Sequence, residues 1–166
     1  MQKLTHALYP GSFDVLTYGH LDLVRRASAM FSRVTVAVAH NPNKQPLFSV
    51  AEREEMIREG VRDLRNVQVG SFTGLTVKYA KQIGANVILR GLRAVSDFEF
   101  ELQMAMMNET LEPGISTIFM APAPAYSFLS SSLVKEIARF GGDVSQFVPP
   151  HVERLLIQRL KENGIR

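Results

Sequence analysis

LTHALYPGSFDVLTYGHLDLVRRASAMF, residues 4–31, changes periodicity halfway along. Leu4–Tyr9 reads as a first strand. From Leu21 to Phe31 the apolar residues recur at helical spacing. Leu23, Val24, Ala27 and Met30 or Phe31 fall on one face, with Arg25 and Arg26 opposite. In the connection, Pro10-Gly11 stops the strand, and Gly11 lets the backbone come close to a ligand. Gly19-His20 opens the helix, where backbone N–H groups favour an anion. A plain strand–helix turn would also use these glycines, and a lone His is usually a solvated one. A His just after a Gly at a helix start, on the first strand–helix connection, is less ordinary.

The same switch from strand to helix recurs along the chain. Arg33–Ala39, Val67–Phe72, Val87–Arg90 and Ser116–Ala121 read as further strands. Ser49 has capping-box spacing to Glu52 and starts a helix. Thr76–Ile83, Asp97–Leu111, Ser131–Phe140 and Pro150–Lys161 complete the helices. Five strands alternating with helices predict a doubly wound parallel α/β sheet covered on both faces, in one domain over 1–166. Ligands of such sheets bind beyond the carboxyl ends of the strands, where strand order reverses. The residues that follow each strand therefore matter most.

After the second strand comes Lys44, whose ordinary reading is a solvated loop cation. After the fourth comes Arg90-Gly91-Leu92-Arg93. It is either a turn with solvated charges or a phosphate clamp built on guanidinium forks. Lys44 and Arg90 are expected to follow neighbouring strands. Asp97 and Glu101 share a helix face, so Glu101 is placed to touch a ribose, a metal ion or an Arg. After the fifth strand comes Tyr126-Ser127-Phe128-Leu129-Ser130-Ser131-Ser132. Capping needs one Ser of the three that open the next helix, which leaves two for a ligand. Along the long helix, Phe98, Leu102 and Ala105 line one apolar face. Phe100, Met104, Met107 and Leu111 line another. Both faces are expected to be buried, the second against another subunit.

Composition excludes several chemistries. The chain has no Cys, so it has no disulfide and no thiolate nucleophile. That fits a reducing cytoplasm, and no leader pattern is seen. The uncharged stretch from Pro113 to Val134 holds three Pro and five Ser and does not read as a membrane span. Net charge is +3 without a basic stripe, which argues against nucleic acid. There is no G-x-G-x-x-G, P-loop, G-x-S-x-G or H-E-x-x-H, and no metal ligand set.

Pro10–Asp14, Thr17–His20, Arg90–Arg93 with Asp97–Glu101, and Ser127–Glu136 stand in the order of the bacterial phosphopantetheine adenylyltransferase family, which they resemble through essentially the whole chain. That family is a branch of the HxGH nucleotidyltransferases. The resemblance implies a Rossmann-like fold, a homohexamer and a step of coenzyme A biosynthesis. ATP and 4′-phosphopantetheine would give dephospho-CoA and pyrophosphate, with Mg²⁺. It implies that Ser12, Phe13, His20, Gly91, Leu92, Arg93, Glu101, Tyr126, Ser127, Phe128, Leu129, Ser130, Ser131 and Ser132 hold ATP. Ser12, Lys44, Thr76 and Arg90 would meet the acceptor, and His20, Lys44 and Arg93 would carry catalysis. Four positions depart from the pattern. Thr17 replaces the superfamily's first His, Ser12 stands where Thr is frequent, Val15 where Pro is frequent, and Thr76 at a usually apolar position. With no Cys or activated Ser in view, direct in-line attack is the expected mechanism. The rival readings are a nucleotidyltransferase with another phosphorylated acceptor and a non-catalytic nucleotide sensor.

Overall fold

The computed structural model describes residues 4–164, without the side chains of residues 4, 5, 95 and 96. Strands β1 (Leu4–Gly11), β2 (Phe31–His40), β3 (Val67–Thr73), β4 (Val87–Gly91) and β5 (Ser116–Met120) alternate with helices. The helices are α1 (Tyr18–Met30), α2 (Val50–Gly60), α3 (Thr76–Gln82) and α4 (Val95–Leu111), then α5 (Ser131–Arg139) and α6 (Pro150–Glu162). The strands form one parallel sheet in the order β3-β2-β1-β4-β5.

Capping decides the boundaries. α1 begins before the predicted Leu21, because the Thr17 hydroxyl accepts the His20 N–H at 3.3 Å and the His20 ring accepts the Thr17 N–H at 3.0 Å. This is a capping box with His in the place usually held by Glu. Ser49 and Glu52 close the expected box on α2. Phe31 belongs to β2 and is fully buried, whereas Met30 is exposed. Pro10 can sit within the central strand because pairing with β4 reaches only Leu8.

β1 leads outward through β2 to β3. The chain then crosses back and lays β4 on the other side of β1. Strand order therefore reverses between the carboxyl ends of β1 and β4, at Gly11 and Gly91. Lys44 follows β2 and Arg90 ends β4, so β1 lies between them. The expectation that they follow neighbouring strands is corrected.

Alternation along the strands builds two cores. Tyr9, Val36, Val38 and Leu89 pack with Leu23 and Val24 of α1, Met56 of α2, Val134 of α5 and Leu156 of α6. On the other face Leu8, Ala37 and Ile88 pack with Val77 and Ala80 of α3. α4 departs from expectation. Neither of its apolar faces is buried within the chain: Phe98, Leu102, Met104, Met107 and Leu111 are exposed, and Phe100 is 64% exposed. Phe98 leans on the edge of the sheet, its ring 6.1 Å from that of Phe119. Among the described residues no helix is long and apolar enough to cross a membrane.

Candidate active site

A cleft of about 550 Å³ opens at the reversal point. The β1–α1 connection supplies one wall, with Ser12, Phe13, Thr17 and His20. The end of β4 and the start of α4 supply another, with Arg90, Gly91, Arg93, Asp97 and Glu101. Tyr126, Leu129 and Ser130–Ser132 close it.

The first wall is held from within. Phe13 adopts φ +48°, a sparsely populated region for a side chain of this size. Its ring packs edge-on to Tyr9 at 5.4 Å and to His20 at 5.0 Å. A Cβ on Gly11 would lie 3.0 Å from that ring, so here the glycine makes room for Phe13. Phe13 is only 2% exposed, which leaves its backbone as the part a ligand can reach.

His20 is the sharpest feature. Because Nδ1 accepts from the Thr17 N–H, the ring proton of the neutral imidazole sits on Nε2. Burial, and next the positive charge of Arg93, depress its pKa to about 4. At neutral pH the cleft is thus offered one uncharged N–H donor of fixed orientation. Thr17, at the position where the superfamily motif has its first His, is the group that orients it.

The arginines have separate partners. Arg90 grips Glu101 with two bonds of 2.8 and 2.6 Å and donates to the Pro10 carbonyl at 3.2 Å. The Glu101 carboxylate holds the Arg90 guanidinium pKa above its ordinary value. Of the three partners open to Glu101, the structure gives it the Arg. Arg93 reaches across the cleft to the Leu129 carbonyl at 3.0 Å, with Asp97 3.8 Å from its Nε. It therefore ties β4 to the closing segment while staying half-exposed.

The three serines are not equivalent. Ser130 caps α5 through the Leu133 N–H, and Ser131 donates to the Val15 carbonyl at 2.6 Å. The fold thus accounts for two hydroxyls, where sequence reasoning allowed for one. Ser132 is exposed.

Other predicted residues lie beside this cleft. Leu92, Ser127 and Phe128 do not line it. The Leu92 N–H pairs with Met120, Ser127 bonds to Pro124, and Phe128 packs edge-on to Phe147. Lys44 lines an adjoining cleft of about 310 Å³ that shares Ser12, Ser131 and Ser132 with the first. Thr76 lines a groove of about 130 Å³ on the opposite side, which shares Pro10, Arg90 and Glu101. Sequence reasoning missed Phe100, which lines both cleft and groove from a helix face assigned to an interface. It also missed Thr17 as the orienter of His20, though their spacing of three residues before an apolar run is a capping signal.

A profile of the cytidylyltransferase-like family matches residues 8–137. A phosphopantetheine adenylyltransferase of Nostoc punctiforme is 59% identical over 158 residues, covering 95% of this chain and 86% of the relative. One from Gloeothece citriformis is 62% identical, covering 88% and 93%. One from Caldanaerobacter subterraneus is 52% identical, covering 95% and 98%. A Vibrio parahaemolyticus crystal structure described as a nicotinate-nucleotide adenylyltransferase superposes with a TM-score of 0.66 over 93% of this chain and 99% of its own. At 17% identity it speaks for the fold alone. With a family profile over most of the chain and relatives alike along most of their length, the chain belongs to the cytidylyltransferase-like family and to the phosphopantetheine adenylyltransferases.

Proposed function

We propose that the chain moves AMP from ATP to the phosphate of 4′-phosphopantetheine, giving dephospho-CoA and pyrophosphate in coenzyme A biosynthesis. The observation that carries this reading is the neutral, Thr17-oriented His20 facing a cleft edged by Arg93 and the start of α5. An acceptor phosphate oxygen attacks the α-phosphorus in line. A bond from phosphorus to that oxygen forms as the bond to the pyrophosphate oxygen breaks, and no covalent enzyme intermediate is needed. His20 Nε2–H donates to the α-phosphate oxygens, whose charge is redistributed in the transition state. Because the imidazole is already neutral, it gives a hydrogen bond without competing to lose a proton.

The groove and the side cleft both adjoin the main cleft, the first through Arg90 and the second through Ser12. The groove combines apolar Ile88, Met104 and Ala105 with polar Thr76, Asn108 and Thr117. That mixture suits a pantetheine arm of amides and methylenes, and favours this acceptor over glycerol phosphate, nicotinate mononucleotide or a flavin precursor. Arg90 at the groove's mouth and Lys44 from the side cleft are assigned to the acceptor phosphate, with Ser12 between them. Arg93 and Ser130–Ser132 are assigned to the nucleotide.

Mg²⁺ fits as a passenger of ATP. Among the described residues no group of three or more His, Asp or Glu could hold a metal, and Glu101 is bound to Arg90. Magnesium takes most of its oxygens from phosphates and water and needs few carboxylates. Asp97 and the serine hydroxyls are the oxygens this cleft can lend it. When bound, it offsets phosphate charge. The exposed face of α4 supports a homo-oligomer, taken as a hexamer from the family resemblance. The reaction is placed in the cytoplasm, where ATP is made and a chain without Cys loses nothing.

The test is pyrophosphate release from ATP against a panel of phosphorylated acceptors. Turnover is expected with 4′-phosphopantetheine and none with pantetheine, which lacks both the anchoring charge and the attacking oxygen. Equal turnover with another acceptor would reassign the substrate. No release with any acceptor would favour a nucleotide sensor.

A further inference from the structure

We infer that Arg53 is a positioning residue for this transfer, acting from behind the site through the backbone of Ser12. The inference rests on the proposed reaction. Arg53 lies in the first turns of α2, touches neither groove nor main cleft, and is 3% exposed. It lines only the back of the side cleft.

A guanidinium so deeply buried is costly unless its donors are satisfied. Where packing alone is needed, apolar residues of similar volume often serve as well or better. Here two of the donors go to backbone. Nε donates to the Ser49 carbonyl at 3.3 Å, and Nη1 donates to the Ser12 carbonyl at 2.9 Å. The charge is not committed to an ion pair within bonding distance among the described residues. Burial holds the guanidinium pKa below its ordinary value, only partly opposed by the charge of Asp14, and the Asp14 carboxylate is occupied elsewhere. It accepts from Lys135 at 2.7 Å, from the Leu47 N–H at 3.0 Å and from the Phe48 N–H at 3.1 Å.

What the Ser12 carbonyl controls makes this contact functional. That oxygen belongs to the planar peptide joining Ser12 to Phe13. Fixing its direction fixes ψ of Ser12 and φ of Phe13 together. The φ of Phe13 is the +48° outlier. Such a conformation persists only where the surroundings over-determine it. Arg53 holds the peptide before Phe13. Asp14, anchored by Lys135 and the Leu47–Phe48 amides, holds the segment after it. Ser131 adds a bond to the Val15 carbonyl. Ser12 stands in the wall shared by main and side clefts, and the Phe13 ring packs against His20. Through one hydrogen bond, then, Arg53 sets where the Ser12 hydroxyl meets phosphate and what His20 rests on.

The experiment is a double-mutant cycle on kcat/KM for 4′-phosphopantetheine, with Arg53→Lys, Ser12→Ala and the pair. Lysine keeps the charge but cannot reach both carbonyls with a rigid fork. Misplacing reacting groups by about 1 Å costs on the order of 10²-fold, so Arg53→Lys is expected to lose about 10–10²-fold in the parent. In the Ser12→Ala background the same change should cost only a few-fold, since coupled residues are non-additive. Arg53→Gln, which keeps one donor without charge, should retain more activity than Arg53→Met. Thermal melts of all variants run in parallel. Equal losses in both backgrounds, or unimpaired kcat/KM in Arg53→Lys, would overturn the inference. So would loss of cooperative melting in both Arg53→Lys and Arg53→Gln, which would assign Arg53 to the fold. A parent chain that released no pyrophosphate would instead sink the reaction on which the inference rests.

Discussion

The two faces of the sheet are built to different standards. One is covered by α1, α2, α5 and α6. Its residues, such as Val24, Val36, Ile57, Val134 and Leu156, are fully buried, and its helices α1 and α2 begin with reciprocal side-chain caps. The other face is covered by α3 and only leaned on by α4. Both of those helices start without a side-chain cap, at Leu75 and Ala94. α4 leaves Phe100 64%, Met106 63% and Met107 59% exposed within two turns of one helix. Isolated exposed apolar residues need no explanation, but a contiguous set of this size marks an interaction surface. The first face is finished by its own chain; the second is not, as the proposed homo-oligomer would explain. The site lies on the seam. Its proposed catalytic side, Ser12 to His20, rests on the finished face. The groove proposed for the acceptor has α4 for a wall and therefore depends on the unfinished one.

The largest effect should come from the finished side. His20→Ala is expected to lower kcat by about 10²–10³, the usual loss for a donor matched to a transition state. It should cost about 1 kcal/mol of stability, because the Thr17 N–H loses the acceptor that closes the α1 cap. Steady-state kinetics beside a thermal melt separates the two effects. Near-normal turnover in a folded variant would remove His20 from the mechanism.

The unfinished side is broken differently. Met107→Glu puts a charge on the exposed face of α4, away from cleft and groove. Within one subunit that should change stability by less than about 0.5 kcal/mol. Across an interface it buries an unpaired charge in every copy. Light scattering at micromolar concentration is expected to show an oligomer for the parent and a smaller species for the variant. A monomeric parent would end the distinction between the faces.

The same contrast decides what the sequence made legible. The alternation of short apolar runs with helical periodicity was enough for five parallel strands. The residues after β1 and β4 were enough for the location of the site, since the reversal rule points to strand ends. Hydrophobic period alone could not say what covers each side of α4. Phe98 and Phe100 look alike in a one-dimensional pattern, yet one leans on Phe119 and the other lines a cleft. Nor could it order the strands, so Lys44 and Arg90 were placed side by side when β1 separates them. Arg53 stayed invisible for another reason. A charged residue on a helix is ordinarily solvated, and only three-dimensional contact reveals that Arg53 holds a carbonyl 41 residues away in sequence.

The smallest effect is a titration, and it tests the comparison at one atom. Burial on the finished face and the charge of Arg93 bring the His20 pKa from an ordinary 6.5 down to about 4. In the unfolded chain it returns to the ordinary value. Between those values the unfolded state binds the extra proton, so folding stability is fully present above pH 6.5 and declines as pH falls toward 4. His6, buried against Thr35 and near Arg33, is shifted the same way and adds to the slope. Stability alone therefore cannot isolate His20. Kinetics cannot either, because a phosphate monoester such as the acceptor changes charge near pH 6. NMR titration of the ring nitrogens in the free protein can. His20 is expected as the neutral Nε2–H tautomer from pH 8 down to about pH 5, protonating only below that. Protonation of His20 near pH 6.5 would mean that the cleft is wetter than its walls suggest. The donor to the α-phosphate would then be an imidazolium over much of the acidic range, which would remove the neutral N–H from the proposed mechanism.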